Sequence, residues 1–338
     1  MKAIVYEGAN TISVRDVPKP QPREGWALIK VSHAGICGTD QNIYHGTHPR
    51  AKAPLIMGHE FSGTLESNDV PGIKKGTRVT VYPLLSCGKC EPCKTGNMHV
   101  CNTLGLVGID CDGGFAEYVE VPKESIIPLS DKVSNKMGAF VEPVAVCVHA
   151  LRERDFRPGD NALVFGCGTI GLATAMTLRV FGASSILMME TDSLRAEHAR
   201  SMGFEVVDPT KLPKDMEAYC KDRTDGNGFD WVIDCAGVQP VASLLLDAVK
   251  VRGTILIIAA YAKPATLPLI KGMFKETNIQ FTRVYRKKDF AIAAKIVAED
   301  PGFEKIITHV LPVSEAQKGF DLVTTKGSGA IKVMFCFD

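Results

Sequence analysis

The feature that most constrains this fold is an alternation of short apolar segments with helix-like segments between about residues 143 and 280. The strand-like segments are 162–165, 185–189, 231–234 and 254–258, and the helix-like segments lie near 170–181 and 193–202. Alternation of this kind predicts a parallel sheet with helices on both faces. We therefore assign the chain to the α/β class.

A glycine-rich turn follows the first of these strands. Gly166, Gly168 and Gly171 fit the pattern G-x-G-x-x-G, with Thr169 and Ile170 between the last two. In such a turn the first glycine makes the bend, the second lets the backbone approach a pyrophosphate, and the third lets the helix pack closely. The unpaired N–H groups of the helix then face the phosphates. A purely structural glycine turn is the alternative.

The next strand ends at an acidic residue in a suitable place for a dinucleotide. Glu190 stands 24 residues after Gly166, where a carboxylate binds ribose hydroxyls and repels a 2′-phosphate. The pattern favours NAD over NADP. Arg195 is a candidate contact on the adenosine side, although an exposed helix arginine is an equally good interpretation.

Four cysteines stand close together in the first half of the chain. Cys87, Cys90, Cys93 and Cys101 lie within fifteen residues, and four thiolates complete the tetrahedral coordination of a zinc ion. A closed site of this kind is structural rather than catalytic. An iron–sulfur cluster and four unligated thiols are the alternatives.

The overall composition narrows the class of protein further. The chain of 338 residues carries 39 basic and 38 acidic residues, so its charge gives no case for a nucleic-acid or membrane partner. It contains 11 cysteines, and neither a signal peptide nor a spanning segment is recognisable. An odd cysteine count argues against a disulfide framework. We expect a cytoplasmic protein with reduced thiols.

The remaining segments indicate a second domain. Residues 1 to about 140 are β-rich, with strand-like runs at 27–31, 78–81 and 116–121, and the tail ends in another at 330–335. We expect the tail to pack on the first segment. The predicted domains are 1–142 with 281–338, and 143–280. The basic run 286–288 is expected to be a solvated turn.

Three further residues are candidates for a second metal site. Cys37 follows a strand-like run, His59 follows another, and Glu142 precedes the α/β segment. Taken singly, each also fits a structural role, as a core cysteine, a buried histidine or a surface acid.

Taken together, these motifs resemble the zinc-containing medium-chain dehydrogenases over essentially the whole chain. The matching segments are Cys37-Gly38-Thr39-Asp40, Gly58-His59-Glu60, the four cysteines, 112–118, Glu142-Pro143 and the glycine turn. The chain is most similar to the sorbitol, threonine and butanediol dehydrogenase branch. Glu142 stands where the other main branch has a cysteine ligand.

This resemblance implies a fold and a metal site. The fold would be a GroES-like distorted β-barrel catalytic domain joined to a Rossmann domain that binds NAD. A catalytic zinc would be held by Cys37 and His59, with Glu60 and Glu142 as direct or water-bridged ligands. Together with the four-cysteine site, this makes two zinc ions per chain. Thr39 would accept the alcohol proton, and Asp40 would steady a ligand.

The implied reaction is oxidation of a secondary alcohol to a ketone by NAD. A polyol, sugar alcohol or sugar acid is the favoured substrate; L-threonine or 2,3-butanediol is the alternative. The resemblance also implies a homodimer or homotetramer. Many relatives carry a histidine relay at the position of Asn42. Here the proton would leave through cofactor hydroxyls and water, or through His45 or His48.

Overall fold

The computed structural model describes residues 1–212 and 215–337, which form two compact units. Unit 1 comprises Met1–Ala145 and Arg286–Asp338, and unit 2 comprises Val146–Tyr285. The sequence placed the two junctions after residues 142 and 280; the units divide after 145 and 285.

The elements are numbered in chain order. The strands are β1 (Lys2–Gly8), β2 (Thr11–Asp16), β3 (Trp26–Gly35), β4 (Leu55–Ile56), β5 (Glu60–Leu65), β6 (Arg78–Val81), β7 (Leu84–Leu85), β8 (Gly105–Leu106), β9 (Tyr118–Pro122), β10 (Ile126–Pro128), β11 (Asn161–Phe165), β12 (Ser185–Met189), β13 (Glu205–Val207), β14 (Phe229–Asp234), β15 (Val249–Ile257), β16 (Asn278–Phe281), β17 (Ile307–Pro312) and β18 (Lys332–Cys336). The helices are α1 (Gly38–Tyr44), α2 (Glu91–Lys94), α3 (Asn135–Arg152), α4 (Thr169–Val180), α5 (Ser193–Ser201), α6 (Met216–Asp222), α7 (Gln239–Ala242), α8 (Leu245–Ala248), α9 (Leu269–Lys275), α10 (Lys287–Glu299) and α11 (Ala316–Thr324). Short 3₁₀ helices lie at Met98–Val100, Lys123–Ser125, Pro209–Lys211, Pro301–Ile306 and Val313–Glu315.

Unit 1 is built around β3. One edge of this strand pairs antiparallel with β5, and the other pairs first with β9 and then, near Gly35, with β18. The resulting sheet runs β10-β6-β5-β3-β18-β17, with β9 beside β3. Because β18 comes from the end of the chain, the tail completes the sheet that the first segment begins.

Unit 2 is a six-stranded parallel sheet in the order β13-β12-β11-β14-β15-β16. Its central strands are continuous apolar runs, as strands covered on both faces must be. The chain order reverses between β11 and β14. Sheets of this type bind ligands at the carboxyl ends of the strands on either side of such a reversal.

Most elements predicted from the apolar pattern are confirmed. The four strands and two helices predicted for unit 2 correspond to β11, β12, β14, β15, α4 and α5. Lys287 and Lys288 are exposed, as predicted for the run 286–288, but the prediction of a turn was wrong, because Arg286 is the N-cap of α10 and the next two residues form its first turn. Asp289 caps this helix by accepting a hydrogen bond from the Arg286 N–H, at 3.1 Å. No helix in the described part of the chain is long and apolar enough to cross a membrane.

Candidate metal centres and dinucleotide site

The first candidate metal centre lies in unit 1, where β3 ends and β5 begins. Cys37 is the N-cap of α1, and its backbone N–H donates to the Asp40 carboxylate at 2.8 Å. His59 directly precedes β5, and Glu60 is the first residue of this strand. One ligand atom from each of Cys37, His59 and Glu60 lies within 4.8 Å of the others. The structure therefore brings these three predicted ligands together.

Buried charge dominates this centre. The Asp40 Oδ1 lies 3.8 Å from the His59 Nδ1, and both side chains are buried. Within residues 1–212 and 215–337, neither atom has a hydrogen-bond partner. Burial lowers the pKa of His59, but the Asp40 carboxylate and then Cys37 outweigh it and leave that pKa well above its usual value. The donor set thus attracts a cation, and a carboxylate beside a ligating histidine is the usual support of a metal-bound imidazole.

Sequence reasoning missed a cation in the same centre. Lys332 of β18 is 1% exposed and forms an ion pair with the Glu60 carboxylate. Its Nζ also donates to the Ile36 carbonyl at 3.0 Å. Gly35 makes room for the pair, because a Cβ there would lie 2.4 Å from the Glu60 Oε2. The signal in the sequence was a single lysine inside the apolar run 330–335.

Glu142 and Thr39 lie nearby but outside the three-residue group. Glu142, on α3, is buried, and its charge contributes to the raised pKa of His59 after the contributions of Asp40 and Cys37. Its carboxylate is not among the mutually close ligand atoms. Thr39 is half-buried in the first turn of α1.

The segment after α1 folds back over Asn42. The backbone N–H groups of Thr47 and His48 donate to the Asn42 carbonyl at 2.9 and 3.2 Å. His48 Nδ1 accepts from the Ala51 N–H at 3.2 Å, and its pKa is lowered by burial, by Arg50 and, to a smaller extent, by His59. His45 instead contacts the Asn10 side chain at 2.8 Å. The charge of His59 thus acts on His48.

The four-cysteine lobe forms the second candidate centre. One sulfur from each of Cys87, Cys90, Cys93 and Cys101 lies within 4.8 Å of the others. The Cys90 sulfur lies 3.4 Å from that of Cys93 and 3.7 Å from that of Cys101. Zinc–sulfur bonds of about 2.3 Å in a tetrahedron give sulfur separations of about 3.8 Å, so the four residues fit a zinc ion. Hydrogen bonds from the Lys89 and Cys90 amides lower the pKa of Cys87 to about 6, which favours the thiolate that a metal requires.

In unit 2, the glycine turn has the geometry that its sequence predicts. Gly166 adopts a φ of +98°, a region that favours glycine. Gly168 is the N-cap of α4, which begins at Thr169 and Ile170. A Cβ on Gly171 would lie 1.8 Å from the Gly166 carbonyl oxygen. Only glycine therefore lets α4 begin this close to the turn, with its first N–H groups beside Gly168.

Glu190 and Arg195 both lie close to this turn. The Glu190 Oε2 accepts from the Cys167 N–H at 2.8 Å, and its Oε1 accepts from the amides of Thr191 and Asp192 at 2.8 and 2.9 Å. The carboxylate is thereby fixed at the end of β12, against the turn. The Arg195 Nη1 lies 4.0 Å from the place that a Cβ on Gly168 would take. Cofactor contact by these two side chains stays a prediction.

We predict that Lys332→Met lowers the free energy of unfolding by about 3–5 kcal/mol, because a buried carboxylate then loses its counter-charge. Lys318→Met is the matched control, since Lys318 pairs with Glu315 on the surface, where an ion pair contributes about 0–1 kcal/mol. Urea denaturation of both variants and of the unchanged protein measures the effect. Equal losses in the two variants would contradict this role of Lys332.

Comparison with known proteins gives a consistent assignment for both units. Residues 23–131 match the family model described as alcohol dehydrogenase GroES-like domain, and residues 169–299 match that described as zinc-binding dehydrogenase. A sorbitol dehydrogenase of Halalkalibacterium halodurans is 32% identical over 99% of this chain and 98% of its own. A 2-dehydro-3-deoxy-L-galactonate 5-dehydrogenase of Pseudoalteromonas atlantica is 32% identical over 95% of this chain and 94% of its own.

A solved structure agrees over the same length. The crystal structure of 2R,3R-butanediol dehydrogenase from Bacillus subtilis superposes with a TM-score of 0.91 at 29% identity, over 100% of this chain and 99% of that one. Unit 1 is thus a GroES-like β-barrel domain, and unit 2 is a Rossmann domain. The chain belongs to the zinc-containing medium-chain dehydrogenase family and is an oxidoreductase of the zinc-type alcohol dehydrogenase class.

Proposed function

We propose that this chain oxidises a secondary alcohol of the polyol, sugar-alcohol or sugar-acid type to the ketone and transfers the hydride to NAD. The observation that carries the proposal is the convergence of Cys37, His59 and Glu60 in a buried, charged centre of unit 1. We assign catalysis to unit 1. Cofactor binding belongs to unit 2, which contains the glycine turn.

The donor sets fit two zinc ions per chain, one among the four cysteines and one at the centre formed by Cys37, His59 and Glu60. A zinc ion at the centre formed by Cys37, His59 and Glu60 would supply a Lewis acid that lowers the pKa of the substrate hydroxyl. A site with three protein ligands leaves a coordination position open, as chemistry requires. We place Glu142 as an alternate or water-bridged ligand, because it is buried near His59 without joining the close group.

The other side chains of this centre position ligands and move the proton. Asp40 accepts a hydrogen bond from the Cys37 N–H and lies beside the His59 imidazole. It therefore holds both of these metal ligands in position. Lys332 holds the Glu60 carboxylate. The Thr39 hydroxyl can both accept and donate a proton, so we assign it the first transfer from the alcohol. Asn42 cannot titrate, so we propose that the proton then leaves through cofactor hydroxyls and water, or through His45 or His48.

The substrate class is supported by the relatives and by Glu142. Two relatives at 32% identity are named for a polyol and for a sugar acid. A carboxylate at position 142, in place of a cysteine, is a feature of the polyol branch that the sequence resembles. L-Threonine and 2,3-butanediol are the alternative substrates, and the relative with the solved structure is a butanediol dehydrogenase.

A substrate panel with metal analysis tests the function. The unchanged protein is expected to form NADH, detected by its absorbance at about 340 nm, with at least one polyol, sugar alcohol or sugar acid. Cys37→Ala is expected to lose this activity and one zinc while keeping the zinc of the lobe, because it removes a ligand from the open site only. Cys90→Ala is the matched control. It removes a ligand from the closed site and is expected to lower the unfolding temperature.

Two outcomes would overturn the proposal. Full NADH formation by Cys37→Ala protein that has lost the zinc of this centre would exclude a catalytic role for the centre. Oxidation of threonine or butanediol alone would keep the reaction class and replace the substrate class.

The choice of NAD rests on Glu190, and a substitution tests it. Glu190→Gln removes the charge that repels a 2′-phosphate, so we expect the ratio of kcat/KM for NAD to that for NADP to fall about tenfold or more. Glu197→Gln is the charge-matched control, because Glu197 lies on the exposed face of α5. An equal ratio in both variants would show that Glu190 does not select the cofactor.

We also propose a homodimer or homotetramer formed through unit 2. Four apolar side chains of α9 are 62–77% exposed: Leu269, Ile270, Met273 and Phe274. Phe281, at the end of the edge strand β16, is 67% exposed. Contiguous apolar surface of this kind marks an interface. The cysteines of residues 1–212 and 215–337 are present as thiols rather than disulfides, which supports our proposal of a cytoplasmic, reducing location.

Phe274→Asp is expected to shift the protein to a lower oligomeric state, since it places a charge in this surface. Val14→Asp is the control, because Val14 is also exposed, on β2 of unit 1. Light scattering at fixed concentration gives the mass. A monomeric unchanged protein, or equal masses for both variants, would contradict the proposed interface.

A further inference from the structure

The carboxylate of Asp234 joins two loops at the carboxyl edge of the Rossmann sheet. Asp234 ends β14 and is 0% exposed. Its Oδ1 accepts from the amides of Ala236 and Gly237 at 2.8 and 3.0 Å. Its Oδ2 accepts from the Tyr261 hydroxyl at 2.5 Å. Because Tyr261 lies in the loop after β15, one buried side chain fixes the loops that follow two neighbouring strands.

The two loops are held to one another at further points. The backbone N–H groups of Ile258 and Ala259 donate to the Asp234 carbonyl, each at 3.0 Å. A Cβ on Gly237 would lie 3.0 Å from the Cβ of Ala259. Burial first, and then the hydrogen bond to Asp234, raise the pKa of Tyr261. The phenol therefore stays a hydrogen-bond donor throughout the working range of an enzyme.

These two loops lie beside the glycine turn, on the side toward which a dinucleotide bound at the turn would extend. Phe165, Asp234 and Ile257 are in register at the ends of β11, β14 and β15, so the two loops border the glycine turn. Glu190, at the end of β12, lies on the opposite side of that turn. If the ribose of the adenosine half binds Glu190 and the pyrophosphate binds the turn, the nicotinamide half lies toward β14 and β15.

Resting on the proposed NAD-linked function, we infer that Asp234 and Tyr261 are a positioning pair for the nicotinamide half of the cofactor. Neither side chain needs to touch the reacting atoms. The pair fixes the backbone of residues 235–237 and 258–261, which borders the place of the nicotinamide. Loss of the Tyr261 hydroxyl leaves the Asp234 Oδ2 buried without its donor and frees the second loop from the first.

The test compares two ligands that share the adenosine half. Tyr261→Phe is expected to weaken NAD binding roughly tenfold, the effect of one hydrogen bond to a charged group. Its affinity for ADP-ribose, which lacks the nicotinamide, is expected to stay unchanged. Tyr219→Phe is the matched control, since it removes a phenol hydroxyl from α6 of the same unit, outside both loops. Titration calorimetry measures both ligands without any alcohol substrate.

A double-mutant cycle with Asp234→Asn distinguishes this pair from two independent effects. The losses of NAD affinity in Tyr261→Phe and Asp234→Asn are expected to be non-additive in the double variant. Equal weakening of NAD and ADP-ribose binding by Tyr261→Phe would show a general structural role and overturn the inference. If Tyr261→Phe bound NAD as tightly as Tyr219→Phe does, the inference would also be overturned. Failure of the unchanged protein to bind either ligand would instead overturn the proposed function.

Discussion

Unit 1 depends on how its buried ionisable groups are compensated. Asp40, His59, Glu60 and Lys332 are each at most 4% exposed, and a charge taken out of water is tolerated only beside an opposite charge with good geometry. The centre draws its members from α1, β5 and β18, so the two ends of the chain must fold together before the charges meet. The antiparallel pairing of β3 with β5 on one edge and with β18 on the other brings these groups together. A glycine at position 35 leaves the space that the Glu60–Lys332 pair occupies.

The cofactor unit depends instead on backbone geometry. Its sheet reverses chain order between β11 and β14, and carboxylates stand at the ends of the strands beside that reversal. Glu190 accepts three backbone N–H groups, and Asp234 accepts two together with the Tyr261 hydroxyl. Each carboxylate therefore fixes a loop on one side of the glycine turn. We propose that the same chemistry serves opposite halves of one extended ligand.

Local patterns in the sequence were enough to predict the Rossmann strands, the glycine turn and the four-cysteine lobe. In each, the residues that matter lie close together in the chain and repeat a known spacing. Lys332 could not be linked to Glu60 in this way, because the two are far apart in sequence and meet only through the pairing of β18 with β3. The Tyr261–Asp234 bond was missed for the same reason. The start of α10 at the basic run 286–288 was not predicted, because the residue that caps the helix, Asp289, follows the run. The sequence did not indicate that Asp289 would bind the backbone of Arg286.

The central claim is that the buried centre of unit 1 is built for a zinc ion. Anomalous diffraction from crystals of the purified protein, recorded above and below the zinc absorption edge, tests it most directly. The account predicts two zinc peaks per chain, one among the sulfurs of the lobe and one among Cys37, His59 and Glu60. A single peak at the lobe, in protein that forms NADH at an undiminished rate, would contradict it.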